Sequence, residues 1–262
     1  MIVHLQTDGS LTMIAQTSHA ELSGMLAARW GNEVFTRPRP YQSVVRAAIH
    51  HDSGWCRYEA RPAYDVNAKS TPSFTQVPAD AVQLAAYQWA IDWMTDIDPY
   101  AGLLISRHRT GLWKERYGTV SHPAPPPRRV LSEGVIEFVD RNEARQQHAL
   151  ESLNQHEFLV NYHNLQVWDL LSLYLCGVYQ LKEQNFDFAL TGYALGEDKS
   201  TRLKLTPIGN DRVEIRPYPF DVRPFKVHYA YRQLYTNDYP TEEAFREAYF
   251  AAIPKLKHWE FD

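Results

Sequence analysis

The chain has 262 residues, 44% hydrophobic, 22% charged and 13% aromatic, a globular make-up that excludes a disordered, collagen-like or purely coiled-coil protein. Its 27 basic and 31 acidic residues leave a net charge of −4, without the basic stripe that grips a nucleic-acid polymer. No apolar run nears the roughly 20 residues a bilayer-spanning helix needs, and the start lacks the regions of a signal peptide. Two cysteines, Cys56 and Cys176, are too few for a disulfide framework. The expectation is a cytoplasmic protein with reduced thiols and no membrane or nucleic-acid partner.

In chain order, Ile2 to Gln6 alternates, Asp8-Gly9 supplies a turn and Leu11 to Ala15 returns, which predicts a β-hairpin. Ser18 and Glu21 have capping-box spacing, so a helix is expected from Ser18 to Trp30, with Gly31 as its terminator. A second helix covers Tyr41 to His51. Gly54 to Pro78 reads as irregular, and so long a loop is more often functional than idle. Helices follow at Ala79–Thr95 and Asp98–Arg107, then a proline-rich link at Pro123 to Pro127, then helices at Ser132–Leu153 and Tyr162–Leu181. Beyond residue 185 the character changes to short strands: Phe188–Leu195, Leu203–Pro207, Val213–Arg216 and Phe225–Tyr231. A last helix starts near Thr241 and ends before Pro254. The fold class expected is mainly α: a helical core over 16–183, with 1–15 and 186–262 joining as a small antiparallel sheet in one domain.

The informative residues are ionisable ones on apolar stripes. His19 heads the stripe Leu22, Ser23, Leu26, Ala27, Trp30; Val44, Val45 and Ala48 lead to His51 and Asp52. Ala101, Leu104 and Ile105 lead to His108, while Asp169 lies in the middle of the stripe Leu165, Trp168, Ser172, Leu173, Cys176. Each has an ordinary explanation: a core histidine with its hydrogen bonds satisfied, an aspartate paired with arginine, or one that ends a helix. Together, four helices direct an imidazole or a carboxylate inward. One divalent ion (Mn, Mg, Fe, Zn, Co or Ni) would satisfy them all.

The segment Ala47-Ala48-Ile49-His50-His51-Asp52-Ser53-Gly54 resembles the His-Asp doublet of the HD-domain superfamily of metal-dependent phosphohydrolases. Matching positions follow that superfamily's order: His19, then His51-Asp52, then Asp169, with His108 where two-metal members place further histidines. The resemblance covers about residues 16–180. It departs after the doublet, where Ser53-Gly54-Trp55 stands in place of an apolar residue, Gly and Lys. The whole chain, including Trp55 and Pro217-Tyr218-Pro219-Phe220, also resembles an uncharacterised bacterial family of unknown function.

The HD resemblance implies a metal-dependent hydrolase acting on a small phosphorylated metabolite or nucleotide. His19, His51, Asp52 and Asp169 would hold the ion, Asp52 would also orient the nucleophile, and His108 would donate a proton or bind a second ion. Trp55 reads as core packing or as stacking on a substrate ring, and Arg107, with Arg109, as partners of the helix dipole or as neutralising phosphate. The Trp55–Pro78 loop, with Asp65, Lys69 and Phe74, would close over the site. Two alternatives stand beside this: an HD-like di-iron oxygenase, and a non-catalytic ligand-binding protein on the same scaffold. His148, His156 and His163 read as surface or capping residues. Gly196 to Thr201 lacks the spacing of a phosphate loop, and there is no G-x-G-x-x-G after a strand and no G-x-S-x-G.

Overall fold

The computed structural model describes residues 1–114, 130–178, 186–194 and 197–262, with 186–194 and 197–202 as backbone. The expected hairpin is β1 (Ile2–Leu5) and β2 (Leu11–Ile14), turned at Gly9, whose φ of +82° is open to glycine at no steric cost. Helix α1 spans Gln16–Ala28, so it starts two residues before Ser18, and Ser18 is not its cap. The physical reason is tertiary. Ala15 precedes the helix without a capping side chain, and the carboxylate of Glu59 reaches the first turn instead. Glu59 accepts the backbone N–H of Gln16 and, at 3.1 Å, the hydroxyl of Thr17. A negative charge there also suits the helix dipole.

Helix α2 (Tyr41–His50) ends at the doublet, and a short helix α3 (Cys56–Glu59) lies just beyond it. Helices α4 (Ala81–Ile97) and α5 (Pro99–Trp113) are capped by Asp80 and Asp98, which accept the N–H of Gln83 and Ala101. No Pro or polar cluster follows Arg107 at once, and α5 continues to Trp113. His108 and its flanking arginines are therefore interior to the helix, not at its end. Helices α6 (Glu133–Leu150) and α7 (Gln155–Leu175) follow. Helix α7 is buried all round from Asn164 to Leu175, as expected of a helix apolar on every side. The proline-rich link, Leu181, Leu195 and Gly196 lie outside the described residues.

Strands β3 (Phe186–Ala194), β4 (Glu197–Gly209), β5 (Arg212–Arg216), β6 (Phe225–Leu234) and β7 (Lys255–Phe261) complete one seven-stranded sheet, with α8 (Glu242–Ala251) before β7. The order is β1-β2-β6-β7-β5-β4-β3, so the N-terminal hairpin does join the C-terminal strands, Leu11 opposite Leu234. The protein is α+β and mainly helical. Strand β7 was not expected. It slots between β6 and β5, antiparallel to the first and parallel to the second, so the sheet is not wholly antiparallel. Its inward residues are Trp259 and Phe261, and it lacks the β-branched run that announces a strand. Among the described residues no helix is long and apolar enough to cross a membrane, and neither Cys56 nor Cys176 is in a disulfide.

One apolar core joins α1, α2, α4, α5, α6 and α7 to Leu203, Leu205, Val213, Ile215 and Phe261 of the sheet. Helix α1 is its axis, packed on α2, α7 and β6. The close approach of α1 to α2 depends on Gly24, where an added Cβ would collide with the side chain of Ile49 and come within 3.3 Å of its Cα. Gly24→Ala would gain helix propensity but force α1 and α2 apart. The net effect should be a loss of about 1–3 kcal/mol, read as a lower urea midpoint with an unchanged m-value.

Candidate metal centre

Four helices bring His19, His51, Asp52, His108 and Asp169 to one point, each 0–6% exposed. His19 and Asp169 come from the facing stripes of α1 and α7, His51 and Asp52 from the end of α2, and His108 from the interior of α5. His19 Nε2 stands 3.0 Å from Asp52 Oδ2, and His51 Nε2 stands 3.4 Å from Asp169 Oδ1 and 3.9 Å from Asp52 Oδ2. His108 Nε2 is 4.0 Å from Asp52 Oδ1. The ring of His51 lies between the other two, its centroid 5.0 Å from that of His19 and 4.8 Å from that of His108. Ligand atoms of His19, His51 and Asp169 fall within 4.8 Å of one another, as do those of His51, Asp52 and His108.

The hydrogen bonds behind the rings decide which nitrogen faces inward. His51 Nδ1–H donates to the carbonyl of Ala48 at 2.8 Å, leaving Nε2 toward the carboxylates without a well-aligned hydrogen bond. Ser172 Oγ gives its one proton to the carbonyl of Asp169 at 2.7 Å, so at 2.9 Å from His19 Nδ1 it can only accept. Ser23 Oγ, 2.9 Å from the same hydroxyl, is also 3.2 Å from the carbonyls of His19 and Trp168, and its one proton is shared among them. His19 therefore carries a proton on Nδ1, which also stands 3.7 Å from Asp169 Oδ1, and its Nε2 faces Asp52. Two imidazole nitrogens and two carboxylates thus meet in a dry core, an arrangement that demands a cation between them. The cation is either a proton on each ring or a metal ion.

The electrostatics follow from this crowding. Burial pushes the His51 imidazole down, but its contact with Asp169 and the charges of Asp52 and Asp169 outweigh that and raise its pKa to about 9. Burial raises Asp52 and Asp169, yet the facing imidazoles hold both below the usual carboxylate range. Burial and the charge of His51 lower His108 to about 4, so its ring is neutral at pH 7.

The donor set fits a divalent ion. Two atoms each about 2.0–2.2 Å from one metal at tetrahedral or octahedral angles stand roughly 2.8–3.6 Å apart; His19–Asp52 and His51–Asp169 lie in that range, while His51–Asp52 at 3.9 Å and His108–Asp52 at 4.0 Å stand wider. Mixed imidazole and carboxylate donors suit Zn, Mn, Fe, Co or Ni.

Other expected site residues fall elsewhere. Trp55 is 3% exposed, edge-on to Tyr58, Phe74 and Tyr87 at 5.7–6.4 Å; it is a packing residue with no face open for a substrate ring. Arg107 turns to α6, 3.3 Å from Gln146 Oε1 and 3.8 Å from Glu143. Arg109 is the inward arginine. It is 8% exposed, its guanidinium 3.5 Å from the centroid of Tyr87 and 4.2 Å from that of Trp113. The 56–78 segment docks against the C-terminal region: Lys69 pairs with Asp238 at 2.5 Å, Tyr64 donates to the carbonyl of Asn237, and Asp65 caps its own turn. Only Phe74 of the residues named in that loop approaches the site's surroundings, through Trp55. His148 is exposed and pairs with Glu151, and His156 is exposed too.

Sequence reasoning missed Gln16, Ser23 and Ser172. Gln16 Nε2 donates to Asp52 Oδ2 at 3.3 Å, and its spacing of three from His19, like that of Ser172 from Asp169, was the available signal.

No curated protein and no solved structure matches the chain. Residues 1–236, a span that contains all five converging side chains, match the profile of a family described as a protein of unknown function, DUF3891. The chain, with its buried imidazole and carboxylate cluster, belongs to the DUF3891 family of proteins of unknown function.

Proposed function

We propose that His19, His51, Asp52 and Asp169 hold one divalent ion and that the protein is a metal-dependent hydrolase of a small phosphorylated metabolite or nucleotide. The observation that carries the metal is the pair of inward Nε2 atoms, each fixed by a bond behind its ring and each facing a buried carboxylate at 3.0–3.4 Å. The residue order His19, His51-Asp52, Asp169 supports hydrolysis through the HD resemblance. A divalent ion in such a site supplies a coordinated water of lowered pKa and polarises a phosphoryl oxygen. Asp52, whose Oδ1 points toward His108, accepts a hydrogen bond from the attacking water and orients it. His108, 4.0 Å from Asp52 Oδ1, donates a proton to the leaving oxygen or binds a second ion. Arg109, buried beside Tyr87 with its charge felt by His108, is the cation offered to an anionic substrate, in place of Arg107.

One observation favours a second reading. His51, Asp52 and His108 form a second triad that shares His51 with the first. Because the His51 Nε2 lone pair serves one ion, a second ion would rest on His108 and a bridging Asp52, and two ions are what a di-iron oxygenase requires. Iron content and oxygen uptake by an iron-loaded sample separate that reading from hydrolysis.

Protein purified without chelator should contain about one divalent ion per chain. Chelation, or Asp169→Asn, should lower the melting temperature, since an ion that binds only the folded state stabilises it by mass action. Absence of metal together with a chelator-insensitive melt would sink the metal site.

The pH dependence has opposite signs with and without metal. In the metal-free protein the raised pKa of His51 contributes stability that is complete below about pH 6.5 and lost as pH rises through about 9. Metal binding displaces that proton, so affinity for Zn or Mn should climb about tenfold per pH unit from 7 to 9 and then level. Calorimetric titration at several pH values checks it; a flat affinity means that His51 is not a ligand.

Across a panel of nucleotides and phospho-metabolites, the metal-loaded protein should release phosphate or a phosphorylated fragment, and His51→Ala should abolish release. Release that survives both His51→Ala and Asp52→Ala belongs to a contaminant. An inactive wild type, loaded with each candidate metal, points to the ligand-binding alternative.

A further inference from the structure

We infer that Gln16 is a positioning residue of the metal centre: its side-chain amide holds Asp52 in place for the ion, and its carbonyl receives a hydrogen bond from a water or substrate hydroxyl beside Asp52. The inference rests on the metal reading above.

The argument begins with how firmly Gln16 is held. It is the first residue of α1, one turn before His19, and its backbone N–H is taken by Glu59. Its side chain is 1% exposed. Nε2 donates to Asp52 Oδ2 at 3.3 Å, the oxygen that also faces His19 Nε2. Asp52 has no other side-chain hydrogen-bond donor than these two among the described residues. If His19 Nε2 gives its lone pair to an ion, it stops donating to Asp52. Gln16 is then the one remaining side-chain hydrogen bond that orients the carboxylate. Bonds of that kind behind a ligand typically matter 10–100-fold in metal affinity.

The carbonyl of the same amide supplies an independent observation. Gln16 Oε1 is buried and has no hydrogen-bond partner. Turning the amide over would set oxygen against the Asp52 carboxylate, so the bond to Asp52 fixes which end is stranded. A stranded buried acceptor costs about 1–3 kcal/mol, a cost removed when a ligand brings an O–H or N–H to it. A carbonyl is useless to a cation-free packing role and well suited to a hydroxyl at the site. The amide is thus used at both ends only when the centre is filled.

Gln16→Leu separates this role from a structural one. It deletes the bond to Asp52 but also removes the stranded carbonyl, and the two effects on the metal-free protein oppose each other. The metal-free melting temperature should therefore move by less than about 2 °C. The Kd for Mn²⁺, followed by the free-ion electron paramagnetic resonance signal, and for Co²⁺, followed by absorption, should rise 10–100-fold. Gln16→Met, unbranched and of similar length, should give the same pair of results and replaces Gln16→Leu if that variant does not fold. Wild type that binds neither ion overturns the metal reading and this inference with it. Wild type that binds, with both variants within threefold of its Kd, overturns the inference and leaves the metal reading intact. A weaker Kd accompanied by a metal-free melting temperature many degrees lower also overturns it, because the residue would then be a packing element.

Discussion

The structure depends on how two buried carboxylates are neutralised. Asp52 and Asp169 are 6% and 5% exposed, and the effective cost of burying an ion is several kcal/mol unless partners repay it. The repayment comes through the imidazoles, which either carry the positive charge themselves when protonated or hand their lone pairs to a metal ion that carries it. Every helix around the centre is constrained by that requirement. Helices α1, α2, α5 and α7 must arrive in a register that faces ring nitrogens to carboxylate oxygens. Ser172 and the carbonyl of Ala48 must take the outward N–H groups, or the inward nitrogens would be the wrong ones. The tight approach at Gly24 sets how near α1 stands to α2, and so how near His19 stands to Asp52.

The parts of the site that were legible are those whose signal is local. His19 and Asp169 declare themselves by helical spacing, because a polar residue inside an apolar stripe has few inexpensive explanations. The doublet at His51-Asp52 is a short motif at a helix end. Arg107 and Arg109 were not separable, since α5 was expected to stop at Arg107. Because the helix runs on past both, the two side chains, two residues apart, are turned by about 200° relative to each other, one toward Glu143 and the other toward Tyr87. Trp55 was ambiguous for a different reason: the aromatic rings that enclose it come from α3, the loop and α4, and no spacing in the sequence announces such a pocket. Glu59 was invisible because its partner lies 43 residues away, and the contact of Gln16 with Asp52, 36 residues apart, left only its spacing of three from His19 as a signal.

The fold was legible to a similar depth. Turn residues and β-branched runs mark the hairpin and most C-terminal strands, and their joining into one sheet follows from the need to cover apolar faces. Strand β7 escaped because a run with two lysines, one histidine and no β-branched residue reads as solvent-exposed chain. Its order between β6 and β5 is a tertiary fact. The long segment after α3 looks like a lid by length alone, yet hydrogen bonds from Tyr64 and Asn237 and the ion pair of Lys69 spend it on fastening the helical part to the residues between β6 and α8.

The seam between β2 and β6 carries a consequence for biosynthesis. Thr12 donates across it to Gln233, 221 residues downstream. A ribosome adding about 5–20 residues per second needs on the order of 10–40 s to make that stretch. For that time β2 has an unpaired edge, and α1, which packs on β6, lacks the cover of that strand. The helix that carries His19 is therefore made well before it is enclosed. A nascent chain of this family must keep an apolar helix and an open strand edge from finding other partners until its own C-terminal strands arrive.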